Sequence, residues 1–296
     1  MVPQPAARNE DGAGNPLQGP GPVLFGILNV TPDSFSDGGD ALDPGAAARR
    51  AGTLLEEGAD VVDVGGESTR PGSDPVTEEE ERRRVVPAVE RILASRPGAV
   101  VSVDTYRART AEAALAAGAS IVNDVTALRG DPGMAALVAE AGCPVVLMHM
   151  LGEPRTMQSE PRYDDVVREV RDFLQERAEH AISAGVRPEN IALDPGIGFG
   201  KTLEHNLALL DGLDALVELG FPVLLGASRK KFVGTLTGAE EAKDRVSGTV
   251  ATSVLGYERG ATLFRVHDVR PNREALAVAR AVRRSGELRV FRSRTD

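Results

Sequence analysis

Eight short runs rich in apolar and β-branched residues recur along the chain, each parted from the next by a longer stretch with helical spacing of apolar positions. The runs are Val23–Leu28, Asp60–Val64, Ala99–Val103, Ser120–Asn123, Pro144–Met148, Asn190–Leu193, Pro222–Leu225 and Thr262–Val266. Their near-continuous hydrophobicity suits strands covered on both faces, as in a parallel sheet. Helical patterns follow them at Gly45–Glu57, Thr77–Ala94, Ala108–Ala117, Met134–Ala141, Tyr163–Ala184, Glu204–Leu219, Asp244–Arg259 and Arg273–Arg284. Even the shortest crossover holds the roughly a dozen residues that a parallel connection needs.

Eight βα units with no break in composition predict a single (β/α)8 TIM barrel, near the usual size of about 250 residues. An open, doubly wound sheet is the alternative. Polar residues separate the two, because the runs terminate in Asn29, Asp63, Asp104, Asn123, His149, Asp194, Ser228 and His267. A closed barrel brings all eight to the one face where active sites of this fold lie. An open sheet would string them along a line, at about 4.8 Å per strand. Turn formation explains one or two polar strand ends, but not eight in eight.

Composition then excludes several function classes. A formal charge of −10 argues against general nucleic-acid binding, which recruits an excess of Lys and Arg. It leaves room for a small anion held by a local basic cluster. Cys143 is the only cysteine, so there is no intrachain disulfide and no CxxC metal site. It opens an apolar run and reads as a small buried hydrophobe. No apolar stretch approaches the roughly 18 residues of a membrane span. Met1 to about Gly21 is rich in Gly, Pro and Ala, lacks an apolar signal core and reads as a disordered tail. That leaves residues 22–296 as the barrel domain and the cytoplasm as the expected location. Glu78, Glu79 and Glu80 stand four residues before Arg82, Arg83 and Arg84, which reads as a solvated helix face.

The loops after the strands carry the chemistry. The first, Gly26–Gly39, is long for a βα connection and dense in turn formers and hydroxyls, as a functional loop would be. In the second, Asp63–Gly72, Gly65 and Gly66 permit close backbone approach, Pro71 stiffens the segment and Arg70 offers a planar cation for a carboxylate. A plain surface arginine is equally open at that position. Asp104, Asn123 and Asp194 supply two carboxylates and an amide, a frame for a heterocycle rich in N–H donors such as an aminopyrimidinone. Helix N-capping competes for any one of them. The sixth loop, Asp194–Thr202, has a superficial likeness to a phosphate-binding loop, but Pro195 stands where the spacing demands glycine. Its three glycines around Phe199 instead fit backbone packed close to a flat ligand. Three of the four lysines, Lys201, Lys230 and Lys231, fall in the sixth and seventh loops. Arg265 and His267 alternate to the same side of the eighth strand, a pair suited to a phosphate or pyrophosphate. No histidine pair has metal-ligand spacing. Magnesium accompanying a pyrophosphate is the metal expected, since it needs few protein ligands.

Seven segments occur in order: Asn29–Gly39, Gly65–Gly72, Ser102–Thr105, Val122–Asp124, Met148–Met150, Asp194–Lys201 with Ser228–Lys230, and Arg265–Asp268. Together, from about Leu24 to Val269, the chain resembles the dihydropteroate synthase family. The resemblance implies condensation of 6-hydroxymethyl-7,8-dihydropterin pyrophosphate with p-aminobenzoate to give 7,8-dihydropteroate and pyrophosphate, a step of folate biosynthesis. It implies that Asp104, Asn123, Asp194 and Lys230 hold the pterin, with Met148 and Phe199 packing near it. Asn29, Arg70, Arg265 and His267 would bind the pyrophosphate, with Asn29 on its magnesium and Asp63 in support. Thr69, Arg70, Pro71, Phe199, Lys230 and Ser228 would shape the p-aminobenzoate pocket. Asn29, Asp63, Lys230, Arg265 and His267 form the implied catalytic set. Members of the family are homodimers and targets of sulfonamides. Ile197 stands where many relatives carry Phe, and the swap keeps an apolar side chain. Two alternatives remain at this stage. A pterin-dependent methyltransferase would not need the Ser68–Pro71, Ser228–Lys230 and Arg265–His267 segments. A catalytically idle pterin-binding paralogue should have lost loop or anion-site residues, and none is lost.

Overall fold

Strand and helix alternate along the chain in a computed structural model that describes residues 15–19, 21–31, 44–68, 73–153 and 155–292, with side chains through 285. The strands are β1 (Val23–Asn29), β2 (Val61–Gly65), β3 (Val100–Asp104), β4 (Ile121–Asp124), β5 (Val145–Met148), β6 (Ile191–Asp194), β7 (Leu224–Leu225) and β8 (Leu263–Val266). The helices are α1 (Pro44–Glu56), α2 (Glu78–Ser95), α3 (Ala108–Ala116), α4 (Met134–Ala141), α5 (Val166–Ser183), α6 (Leu203–Asp211), α7 (Asp214–Val217), α8 (Lys231–Thr237), α9 (Val246–Glu258) and α10 (Val269–Arg292). All neighbouring strands run parallel in the order β6-β5-β4-β3-β2-β1-β8-β7. A bridge between Leu193 and Val223 joins β6 to β7, and the sheet closes on itself. The expected TIM barrel is the observed architecture.

Strand alternation divides the apolar residues into two bodies. Leu24, Val62, Val101, Val122, Leu147, Leu193 and Phe264 face outward into a core shared with the helices. Val23, Phe25, Val61, Ile121, Val146, Ala192, Leu224 and Leu263 fill the inside near the strands' N-terminal ends. Further along the same inner positions the residues turn polar, as the register shows. Asp63 lies opposite Ser102 and Gly65 opposite Asp104, Asp104 is beside Asn123, and Met148 is beside Asp194. The barrel thus has an apolar floor and a polar mouth.

Residues 15–19 add to that floor. Leu17 is 1 % exposed and packs in the inner cluster. Asn15 donates to the Glu189 carbonyl at 2.6 Å and to Asn190 Oδ1 at 3.1 Å, in the turn ahead of β6. The expected disordered tail to about Gly21 therefore reaches too far. Asn15–Gly19 is polar in composition, yet one leucine finds the open base of the barrel. Residues 1–14 and residue 20 of that segment lie outside the described residues.

Candidate active site

The mouth is organised around Arg265. Its Nε donates to Asp63 Oδ2 at 2.6 Å and its Nη2 to Asp104 Oδ2 at 2.6 Å. Asn123 Nδ2 donates to the same Asp63 oxygen at 3.3 Å. Alternation on β8 aims Arg265 inward, and the register sets it beside Phe25 of β1. Asp63 Oδ1 and Ser102 Oγ are buried without a hydrogen-bond partner among the described residues. Burial pushes the Asp104 carboxyl up, against the pull of Arg265. Burial pushes the Asp194 carboxyl up as well, opposed by Lys230 and by the Gly196 amide, which donates to Asp194 Oδ1 at 2.7 Å. Two carboxyl groups with Asn123 between them can accept from the N–H groups of a heterocycle, and the Asn123 amide can both accept and donate.

The sixth loop folds back over this frame. Gly196 adopts φ +65°, and a Cβ there would fall on the His149 carbonyl. Gly200 adopts φ +63°, and a Cβ there would stand 2.5 Å from the Leu151 carbonyl oxygen. Only glycine accepts both the left-handed backbone and the close approach. The loop presents Phe199 against an apolar cluster of Val125, Met148, Met150 and Met157. The Lys230 ammonium stands 4.2 Å from the Phe199 ring centroid and donates to the Ile197 carbonyl. Burial, opposed by Asp194, brings the Lys230 ammonium down to about 7.

The seventh loop is held in an unusual backbone. Arg229 has φ 58°, a left-handed conformation that a residue of its size adopts only when its surroundings insist. Its guanidinium pairs with both oxygens of Asp268, at 2.9 and 2.6 Å, and its amide donates to Thr249 Oγ1 at 3.0 Å. The turn leaves Ser228 Oγ 3.0 Å from His267 Nδ1, with the His267 amide donating to Ser228 Oγ at 3.1 Å. His267 and Arg265 are thus brought together with Ser228, Lys230, Asp63, Asp104 and Asn123. Asn29 ends β1 opposite Gly65, with its Oδ1 3.7 Å from where a Gly65 Cβ would stand. Thr69, Arg70 and Pro71, and the first loop from residue 32 to 43, lie outside the described residues.

Several groups carry more than the sequence assigned to them. Lys201, at the end of the sixth loop, is 3 % exposed. Its ammonium reaches His149 Nδ1 at 2.9 Å and the Phe199 carbonyl at 3.0 Å. Asp124 belongs to the fourth segment but folds it: it accepts from the Thr126 amide, the Thr126 hydroxyl and the Leu128 amide, at 2.7, 2.7 and 3.0 Å. The Glu and Arg block of α2 is only partly a solvated face. Glu80 pairs with Arg83 and Arg84, and the Arg84 side chain is only 9 % exposed; Glu81, outside that block, is 1 % exposed and pairs with Arg107 at 2.7 Å. The signal available was that Arg107, at the start of the third helical pattern, follows a strand end. Among the described residues no group of three or more His, Cys, Asp or Glu could hold a metal ion, and no helix is long and apolar enough to cross a membrane.

The profile of pterin binding enzymes matches residues 25–267, nearly all of this TIM barrel, and so places the chain among pterin-binding enzymes. The dihydropteroate synthase of Neisseria meningitidis serogroup B is 47 % identical over 266 residues, 88 % of this chain and 93 % of that protein. The structure of Xanthomonas albilineans dihydropteroate synthase with 4-aminobenzoic acid superposes with a TM-score of 0.84 at 50 % identity, covering 89 % of this chain and 94 % of that one. The same enzyme in complex with 7,8-dihydropteroate superposes at 0.81 and 48 % identity, with the same coverage. The chain belongs to the dihydropteroate synthase family of pterin-binding enzymes. Its activity is that of a transferase in folate biosynthesis.

Proposed function

We propose that the mouth binds 6-hydroxymethyl-7,8-dihydropterin pyrophosphate and p-aminobenzoate side by side, with Arg265 at their junction. One observation carries this reading: a single guanidinium joins Asp104, which borders Asn123 in the heterocycle frame, to Asp63, and its residue stands in β8 two positions before His267. Asp104, Asn123, Asp194 and Lys230 hold the pterin edge, and Met148 and Phe199 pack on its ring. Asn29, Arg70, Arg265 and His267 receive the pyrophosphate, with Asp63 holding Arg265. Thr69, Arg70, Pro71, Phe199 and Ser228 shape the p-aminobenzoate side.

The C–O bond at the exocyclic methylene breaks first, and its electron pair leaves with the pyrophosphate. The positive charge left on carbon spreads into the electron-rich dihydropterin. The amine of p-aminobenzoate then donates its lone pair to that carbon, and the surplus proton passes to solvent. No protein nucleophile is required, so Arg265 and His267 act by stabilising charge on the leaving group and the frame acts by orientation. The donor set suits magnesium carried in on the pyrophosphate rather than a resident cage, with the Asn29 amide oxygen as its protein ligand. Bound there, it would neutralise part of the leaving group's charge.

The chain works as a homodimer in this reading. Leu255 on α9 and Val278 and Val282 on α10 are 55 %, 66 % and 64 % exposed, an apolar group on two packed helices that a second copy would cover. A cytoplasmic setting fits the same chemistry.

The test is pyrophosphate release from dihydropterin pyrophosphate with magnesium, measured with and without p-aminobenzoate. Dihydropteroate should form only when p-aminobenzoate is present. Arg265→Ala should lower turnover at least about tenfold, through loss of charge-assisted hydrogen bonds. Unchanged rates in a folded Arg265→Ala protein would overturn the role given to that residue.

A further inference from the structure

Buried charges fasten the second loop on both of its sides. Arg107, the residue before α3, supplies the cation. Its guanidinium lies 2.7 Å from Glu67 Oε2 on the outgoing side and 2.8 Å from the Val76 carbonyl on the returning side. It also lies 2.7 Å from Glu81 Oε2 on α2. Glu67 accepts in addition from the Val76 amide at 3.2 Å, and Thr110 Oγ1 donates to Glu81 at 3.0 Å. From α2, Arg84 donates to the Gly66 carbonyl at 3.0 Å. Ser73 Oγ donates to the Ser68 carbonyl and ties the two sides together. The side chains of Glu67, Arg107 and Glu81 are 7 %, 13 % and 1 % exposed. Ion networks buried this deeply add little net stability over apolar packing, so stabilisation alone does not account for this one.

Tyr106 carries the network into the site. Its ring packs against the cluster of Met148, Met150 and Met157 that also receives Phe199. The Arg107 guanidinium stands 4.6 Å from the ring centroid. The hydroxyl accepts from Arg107 at 2.8 Å and donates to Glu67 Oε1 at 3.1 Å. Burial, with Glu67 beside it, pushes the phenol up to about 12, so it stays a donor at neutral pH.

We propose that Tyr106, Glu67 and Arg107 are positioning residues for the second substrate, holding both sides of the second loop in register with the pterin wall and so setting the capture of p-aminobenzoate. The inference rests on the reading of the site given above. The three residues act through the loop they hold.

Steady-state kinetics with each substrate varied in turn test it on Tyr106→Phe, Glu67→Gln and Arg107→Lys, with the thermal midpoint recorded for each. KM for p-aminobenzoate should rise at least about fivefold in Tyr106→Phe, the loss expected for one hydrogen bond, while KM for dihydropterin pyrophosphate stays within about twofold. Glu67→Gln should shift KM for p-aminobenzoate further, because it removes the charge that Arg107 pairs with. Tyr106→Phe deletes a single hydroxyl and carries the test where the other variants fail to fold. The inference is overturned if both KM values rise together, or if neither rises in folded Tyr106→Phe. A wild-type protein that forms no dihydropteroate would instead bring down the reading of the site, and the inference with it.

Discussion

Charge burial is where single residues in this barrel depart most from their sequence signals. Alternation on β8 aims Arg265 inward, because a strand's period is fixed by its backbone, while His267 stands one residue past the strand's end. Lys201 had no such rule to follow. Its environment comes from a loop folded by Gly196 and Gly200 onto His149, a contact between segments 52 residues apart. Burial and the nearby charge of Lys201 bring the His149 imidazole down to about 3, so it accepts at Nδ1. Burial, then Lys230, brings the Lys201 ammonium down to about 7, with Asp194 pulling the other way. The sign of the linkage follows. Between about 7 and the unfolded value near 10.5, the folded state binds fewer protons at Lys201 than the unfolded chain does. Stability from this group is therefore complete above the unfolded value and is lost as pH falls through the folded one. Lys201→Met lacks this dependence. Its stability relative to wild type should fall between pH 7 and 10, by up to a few kcal/mol on the scale of roughly 1.4 kcal/mol per pKa unit. Denaturant unfolding at several pH values measures it. A pH-independent difference would mean that Lys201 is not held near neutrality.

Elements were legible where pattern alone decides them and illegible where tertiary contact does. All eight strands fall within or beside the expected runs, since burial on both faces writes itself into sequence as continuous hydrophobicity. α10 begins at Val269 rather than Arg273. Pro271 reads as a breaker, yet it sits in the first turn, where the missing N–H has no helical partner to lose. α8, with seven residues, is too short to show a helical period in the sequence. The segment at Asn15–Gly19 is the larger miss, for its composition signals disorder while Leu17 is buried by residues far along the chain. Leu17→Ala should lower unfolding stability by about 2–5 kcal/mol, the usual cost of a truncated core leucine. The cavity opens at the floor and the chemistry lies at the mouth, so KM for both substrates should hold. Thermal melts with paired kinetics would show it. A leucine that can be truncated without cost would mean that the segment does not close the barrel in solution.

At the scale of the whole molecule, closure of the sheet turns separate motifs into a site. Eight polar strand ends and the order of the segments pointed to one face, and the ion pairs from Arg265 to Asp63 and Asp104 span sequence separations of 202 and 161 residues. Which carboxylate the guanidinium meets, and that Glu67 and Glu81 share Arg107, depended on strand register and loop return, which no local pattern encodes. The surface away from the mouth poses a different problem. Val278 and Val282 stand four residues apart on α10, hence on one face of that helix, and Leu255 is exposed on its neighbour α9. Apolar groups clustered on packed helices exact a solvation cost in a monomer that burial against an identical copy removes. Across a two-fold axis each substitution is introduced twice. Val278→Asp should therefore place two carboxylates in or beside the interface and weaken association by at least about tenfold, since each buried unpaired charge costs several kcal/mol. Sedimentation equilibrium of wild type and variant at matched concentrations reads this directly. A dimeric wild type with a monomeric, folded Val278→Asp would fix the interface on α9 and α10. A variant that dimerises as tightly as wild type would move it elsewhere on the barrel.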